Sequence, residues 1–182
     1  AILADFGLTP PRQDRLTHLQ TLNAFLLRQA AAGVNVALII DEAQDLPPRT
    51  LEEVRLLSNL ETAQHKLVQI VLAGQPELNA RLDAPGMRQL RQRITVRYHV
   101  LPLAPGEVGA YIDHRLRTAG APAEVRFDEA AVAAVARYSG GVPRLINAVC
   151  DYALLAGFMR ESRLITEDCA ARAVAQLEGR SP

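Results

Sequence analysis

VALIIDEAQDL, residues 36–46, is the stretch that decides the fold. Five apolar side chains run directly into two adjacent acids, Asp41 and Glu42. A continuous apolar run is typical of a strand that is covered on both faces, as in parallel sheets. The two acids have an ordinary explanation, because acids favour turns. They also have a chemical one, in which a metal ligand and a general base stand at the carboxyl edge of a sheet.

Helices and strands are predicted to alternate three times over residues 1–103. Apolar residues at helical spacing indicate the helices, and unbroken apolar runs indicate the strands. This alternation predicts an α/β domain with a mainly parallel sheet. The predicted helices cover 12–32, 46–63 and, in short pieces broken around Pro85 and Gly86, 76–92; the predicted strands cover 34–40, 67–74 and 94–103.

A different pattern begins at Pro105, where the strand signals vanish. Four helices follow, and prolines or acids mark their starts. The sequence therefore predicts two domains, an α/β core at 1–103 and an all-helical domain at 104–182. The predicted helices of the second domain cover 105–118, 128–138, 142–160 and 166–178.

Charge and cysteine content limit the classes of function. Twenty acidic and twenty basic residues cancel, which argues against a nucleic-acid partner. Cys150 and Cys169 are too few and too far apart for a disulfide scaffold or a metal cluster, and Cys150 is predicted to be a small core residue. No signal peptide is present, and no apolar run approaches the ~20 residues of a membrane span. We expect this stretch of chain to lie in the cytoplasm.

Polar groups flank all three predicted strands. Asp41 and Glu42 follow the first, Gln75 follows the second, and a cluster of arginines, residues 88–93, precedes the third. Sheets of this class bind ligands outside the carboxyl ends of their strands. In phosphoryl transfer one acid holds Mg²⁺, a second orients the attacking water, and cations neutralise the phosphoryl oxygens. With a helical domain after it in the sequence, this layout resembles that of a P-loop NTPase of the AAA+ type.

Four stretches resemble the ExeA-type ATPases, the general secretion pathway protein A family, with relatives in pilus and exopolysaccharide–exosortase systems. The resemblance covers essentially all 182 residues. It implies a AAA+ core followed by a helical lid, with ATP and Mg²⁺ as cofactors, and ATP hydrolysis by the full-length protein. It also implies assembly of an envelope secretion machine at the cytoplasmic face of the inner membrane, with any anchor outside this sequence. The four stretches are VALIIDEAQDL, EVRLLSNLETAQHKLVQIVLAGQPEL, RQLRQRITVRYHVLPL and YSGGVPRLINAVCD.

The resemblance implies roles for the residues at the strand ends. By position, Asp41 matches the Walker B magnesium ligand and Glu42 matches the catalytic glutamate. Gln75 matches sensor 1, the polar residue beside the γ-phosphate. Its alternative role is to cap the helix that begins at Pro76.

Three arginines are implicated in the same way. Arg93, directly before the third predicted strand, occupies the usual place of the arginine finger, and Arg91 is the second choice. Because such a finger acts on a neighbouring subunit, it implies self-association. Arg144 matches sensor 2, which contacts phosphate from the lid. An arginine that opens a helix opposes the macrodipole, so its placement needs another reason, which a phosphate partner supplies.

The phosphate-binding motif of the family is missing. That motif needs a glycine-rich turn followed by Lys-Ser/Thr, and the only lysine, Lys66, has no glycine near it. In the family the motif precedes the segment that corresponds to AILADFGL, so we expect a truncated P-loop NTPase that is inactive alone. Without the strand that leads into the motif, residues 67–73 and 94–101 would either close on each other or expose apolar edges.

Two other functions remain open. One is a transposition-type AAA+ regulator that binds DNA, against which the balanced charge argues. The other is a non-catalytic interaction module with a degenerate ATPase fold. A phosphate-binding motif upstream of Ala1 in the gene would favour the enzyme over the module.

Overall fold

The computed structural model of the protein describes residues 2–62 and 65–180. By its internal contacts the chain divides into two compact units, Ala1–Arg97 and Tyr98–Pro182. None of the helices in these described ranges has the length and apolar character that crossing a bilayer requires.

The first unit alternates helices with two parallel strands. β1 and β2 pair in register, so that Ile39 lies opposite Val71. The two strands, the helices predicted around them and the break at Pro85–Gly86 are confirmed, and most of these elements are a few residues shorter than predicted. The short helix Ile2–Asp5 was not predicted. The elements are α1 Ile2–Asp5, α2 Arg15–Ala31, β1 Ala37–Ile40, α3 Pro48–Leu57, β2 Gln69–Leu72, α4 Glu77–Asp83 and α5 Arg88–Arg93.

Two apolar clusters hold this unit together. The first packs Leu22 and Leu26 of α2 against Leu38 and Ile70 of the strands. The second lies under the carboxyl ends of the strands and joins the loop after β1 to the helices α3, α4 and α5. Its buried members are Ala43, Leu51, Leu78, Leu82 and Leu90. The loop that carries Asp41 and Glu42 is therefore held in place by the packing of Ala43 against these helices.

The sheet has one exposed apolar face, so the prediction that its strands are covered on both faces is wrong. Ile39 and Val71 are 69% and 49% exposed. The helices of this unit pack on the opposite face, where Leu38 and Ile70 meet one apolar cluster and Ile40 and Leu72 meet the other. An unbroken apolar run does not distinguish a strand covered on one face from a strand covered on both. The residue types are the same in the two cases, and only the number of layers packed on the sheet differs.

The prediction of a third strand at residues 94–103 is also wrong. These residues form no strand, and Val96, Tyr98 and Val100 are 79%, 88% and 80% exposed. Their alternating pattern fits a strand, but a strand exists only where a neighbour pairs with its backbone. Among the described residues of 94–103 no such pairing occurs.

As far as residue 180, where the described part of the chain ends, the second unit contains four α-helices around an apolar core: α6 Val108–Thr118, α7 Glu129–Ser139, α8 Pro143–Met159 and α9 Glu167–Leu177. All four helix predictions are confirmed. The expectation of an all-helical region needs one correction, because β3 Arg126–Phe127 pairs in parallel with β4 Leu164–Ile165. These strands precede α7 and α9, and two residues are too few to produce a recognisable alternation.

The cysteines lead to a prediction about reactivity. Cys150 is a core residue, as predicted, and Cys169 is buried as well. Burial, assisted by the charge of Asp151, raises the pKa of the Cys150 thiol to about 12. Because the thiolate is the nucleophile, we expect Cys150 to resist iodoacetamide at pH 8 in the folded protein and to react in urea.

Peptide mass mapping measures this alkylation and separates the two thiols. Since the pKa of this thiol in the folded protein lies above its ordinary value of 9.0, its contribution to the free energy of unfolding is complete below pH 9. It is lost as the pH rises toward 12. Alkylation of Cys150 at equal rates with and without urea would show that the thiol is accessible to the reagent in the folded protein.

Candidate functional site

The two parallel strands end side by side and bring three of the predicted site residues to one edge. The backbone N–H of Ala73 donates to the carbonyl of Ile40, and that of Ala43 donates to the carbonyl of Ala73, both at 2.9 Å. Asp41 and Glu42 therefore lie beside the segment that leads to Gln75. This is the juxtaposition that parallel pairing of β1 and β2 requires.

Asp41 points its carboxylate across the first turn of the loop. Its Oδ1 accepts a hydrogen bond from the backbone N–H of Glu42 at 2.9 Å. The side chain is exposed to solvent. One carboxylate oxygen is thus oriented by the backbone at the tip of β1.

Glu42 has an unusual backbone conformation. Its φ of 49° lies in the left-handed region, which non-glycine residues adopt at a cost of about 1–3 kcal/mol. The residues that follow support this conformation, because Ala43 is 0% exposed and the backbone N–H of Asp45 donates to the Glu42 carbonyl at 2.9 Å. Such strain is concentrated at functional sites.

Gln44 links the two strand ends, and the sequence reasoning missed it. Its side-chain Nε2 donates to Glu42 Oε2 at 2.7 Å, and its Oε1 accepts from the backbone N–H of Gln75 at 3.0 Å. The available signal was its position two residues after the second acid, within the same loop. That spacing does not reveal which way a surface glutamine points.

Gln75 lies at the start of the segment that leads into α4. Its side chain is exposed, and its backbone carbonyl accepts from the N–H of Leu78 at 2.9 Å. The N-cap of α4 is Pro76, which has no side-chain cap. Within residues 2–62 and 65–180, no hydrogen bond from the Gln75 side chain to this helix is seen, so the capping alternative finds no support.

The two candidate finger arginines lie on α5 and approach acids other than Asp41 and Glu42. Arg91 is 3.4 Å from Asp83, a carboxylate that Arg97 also approaches, at 3.6 Å. Arg93, the last residue of α5, lies near Glu61; Lys66 is the main cause of the lowered pKa of Glu61, and Arg93 adds a small contribution. In the described part of the first unit, neither arginine forms a hydrogen bond or ion pair with Asp41 or Glu42.

Arg144 belongs to the second unit. It is the second residue of α8, directly after Pro143, and it is exposed. Proline suits the first turn of a helix because its missing N–H would be unpaired there anyway. A cation at this end is disfavoured by the helix dipole, as the sequence indicates.

The two carboxylates that follow β1 are oxygen donors of the kind that Mg²⁺ prefers. In the described ranges no three or more His, Cys, Asp or Glu residues come close enough to hold a metal ion, so the protein supplies no complete cage. Mg²⁺ needs none, because it binds through one or two carboxylates plus water and substrate phosphates. The oxygen donors of Asp41 and Glu42 therefore fit this ion, whereas a lysine-containing phosphate cradle is absent from the 182 residues.

Comparisons with known proteins agree with this geometry. Residues 1–82 match a family described as AAA domain. The curated general secretion pathway protein A of Aeromonas hydrophila is 48% identical over 154 residues, which is 85% of this chain. This chain spans 28% of that relative, so it corresponds to one part of a larger protein there.

Solved structures show the same fold at low sequence identity. A RuvB mutant from Thermotoga maritima superposes with a TM-score of 0.61 at 16% identity, covering 84% of this chain and 49% of that one. The ORC2 protein of Aeropyrum pernix in its ADP form gives a TM-score of 0.67 at 16% identity, covering 86% and 43%. On the match to the AAA domain and the 48% identity to the Aeromonas protein, the chain belongs to the AAA+ ATPase family and is a relative of general secretion pathway protein A.

Proposed function

We propose that the protein binds and hydrolyses ATP with Mg²⁺ and serves a bacterial envelope secretion or assembly system. The observation that carries the proposal is the meeting of Asp41, Glu42 and Gln75 at one carboxyl edge of a parallel sheet. The name of the Aeromonas relative supports the secretion system. Nucleotide is supported by the ORC2 structures, which are an ADP form and ADPNP–ADP complexes.

Each residue at the edge has a distinct role in this proposal. Asp41 holds Mg²⁺, which when bound neutralises charge on the phosphate oxygens. Glu42 orients the attacking water and accepts its proton, as a carboxylate within hydrogen-bond reach can do. Gln75 donates a hydrogen bond toward the terminal phosphate. The hydrogen bond from the Glu42 N–H orients one oxygen of Asp41, and the left-handed turn fixes the backbone at Glu42.

Arginines outside this edge are proposed to contact the phosphates of the nucleotide. In the domain division that we propose, residues 1–103 form the core and 104–182 form the lid, from which Arg144 contacts phosphate. Arg93 is the first candidate for a finger that reaches the site of a neighbouring copy, and Arg91 is the second. Arg91 is already near Asp83, whereas Arg93 is the end residue of its helix. Both placements are compatible with a role in trans within an oligomer.

A phosphate-binding loop outside these 182 residues is part of the proposal, since the sequence contains no GxxxxGK[ST]. We expect the 182-residue chain by itself to bind ATP with a dissociation constant in the millimolar range or weaker and to release no phosphate. A longer protein that includes the loop is expected to do both. The physical reason is that the backbone amides and lysine of that loop hold the phosphates.

A fluorescent ATP analogue measures the binding, and phosphate release measures the turnover, with and without Mg²⁺. Hydrolysis by the 182-residue chain would overturn the part of the proposal that places the loop elsewhere. A longer protein with the loop but without turnover would instead favour an interaction module.

A further inference from the structure

We propose that Gln44 is a positioning residue that fixes the carboxylate of Glu42 relative to the backbone of Gln75. The inference deepens the proposed function and rests on it, because it assumes that Glu42 is the group that handles water. Gln44 does not itself contact a reacting atom in this account. It joins the end of β1 to the end of β2, so that the two strands present their polar groups as one unit.

The two ends of one amide group make the link. The N–H₂ of Gln44 donates to Glu42 Oε2 at 2.7 Å, and the carbonyl oxygen accepts from the backbone N–H of Gln75 at 3.0 Å. The side-chain amide of glutamine carries a neutral donor and a neutral acceptor on one planar group. Asparagine is one methylene shorter, so it cannot keep both distances without moving the loop.

The backbone of Gln44 is fixed independently of its side chain. The guanidinium of Arg81 donates to the carbonyl oxygen of Gln44 and, at 2.6 Å, to that of Leu46. The preceding residue, Ala43, is fully buried. The direction of the Gln44 side chain therefore follows from an anchored loop. Its longer contact with Asp45 Oδ2, at 3.4 Å, is secondary to the bond with Glu42.

Gly74 shows that the second strand leaves space for this side chain. A Cβ at position 74 would lie 2.6 Å from Gln44 Oε1, and 3.2 Å from a methyl group of Leu78. No side-chain carbon fits at the first distance without displacing the amide. The absence of a side chain at Gly74 therefore leaves room for the amide of Gln44. Gly74→Ala is expected to displace this amide and so to break the same link.

The link matters because Glu42 is otherwise a long side chain at an exposed turn. A catalytic group must be held within about 0.5 Å of its working position, and an error of about 1 Å can cost roughly 100-fold in rate. The amide of Gln44 holds the Glu42 carboxylate in place before any substrate arrives. Loss of the link therefore acts on turnover more than on nucleotide binding.

Two substitutions in a longer protein that contains the phosphate-binding loop separate the parts of the link. Gln44→Met keeps the length of the side chain and removes both hydrogen bonds. Gln44→Glu keeps the acceptor for the Gln75 N–H but places a second negative charge against Glu42. We expect each to lower kcat for ATP roughly 10- to 100-fold, with KM and the dissociation constant for ATP changed by less than about 3-fold. Gln20→Met, at an exposed position on α2, is the matched control and should leave kcat unchanged.

A double substitution tests whether Gln44 acts through Glu42. Glu42→Asp withdraws the carboxylate from the amide, so Gln44→Met should cost less than about 3-fold in that background. An unchanged kcat for Gln44→Met in the otherwise natural protein would overturn the inference. So would an undiminished loss in the Glu42→Asp background, which would show that the residue acts elsewhere.

A measurement without nucleotide keeps the inference separate from the proposed function. In the 182-residue chain, hydrogen exchange by NMR should show a protected Gln75 amide, retained in Gln44→Glu and at least about 10-fold faster in Gln44→Met. If the Gln75 amide exchanged at the same rate in all three proteins, the link through Gln44 would be refuted. A longer protein without ATPase activity but with this exchange pattern would refute the proposed function and leave the link intact.

Discussion

Replacing Glu42 by glutamine is expected to lower ATP turnover by at least about 100-fold in a longer protein that carries the phosphate-binding loop. General base catalysis contributes about 10²- to 10⁴-fold, and a neutral amide of the same shape cannot take the proton from water. Nucleotide binding should change by less than about 3-fold, because Asp41 remains at the end of β1. Phosphate release and binding of a fluorescent ATP analogue measure the two quantities.

Glu53→Gln is the matched control, since Glu53 is an exposed acid on α3 in the same unit. It should change neither quantity. Persistent turnover in Glu42→Gln would remove Glu42 from its role as the base. A parallel loss of binding would instead indicate that the strained turn, and not the carboxylate, is what the substitution disturbs.

The second large effect is on stability. Gly141→Ala should destabilise the second unit by about 3 kcal/mol or more, because the new methyl group would overlap the backbone carbonyl oxygen of Leu103 and lie 2.9 Å from its carbonyl carbon. The turn cannot easily move away, since the N–H of Leu103 donates to the carbonyl of Gly141 at 2.9 Å. The φ of 79° adds strain of its own. For a unit of this size the melting temperature should fall by roughly 12 °C or more.

The neighbouring glycine is the control for backbone strain. Gly140 also has a positive φ, 55°, where it ends α7, but no atom lies within 4 Å of an added Cβ. Gly140→Ala should therefore cost only about 1–2 kcal/mol, the price of the left-handed conformation. Circular dichroism melts of the two variants make the comparison. Equal melting temperatures would mean that Leu103 does not pack on this turn.

The sequence by itself was sufficient for most helices, for the strands β1 and β2 and for the edge of the candidate site. The helices of both units follow apolar spacing and their end signals, which are local properties. The placement of Asp41, Glu42 and Gln75 at one edge followed from a general rule, since parallel strands end on the same side. That inference required only that β1 and β2 be strands and be parallel, and both hold.

What the tertiary structure decided depends on partners that are distant along the chain. Residues 94–103 have the pattern of a strand, yet pairing decides whether a strand forms, and Ile39 and Val71 are apolar without being covered. The link through Gln44 depends on where β2 passes, 31 residues away at Gln75. Residue types and spacing describe what a segment can do. The hydrogen bonds that it makes are set by geometry to within tenths of an ångström, which only the folded chain provides.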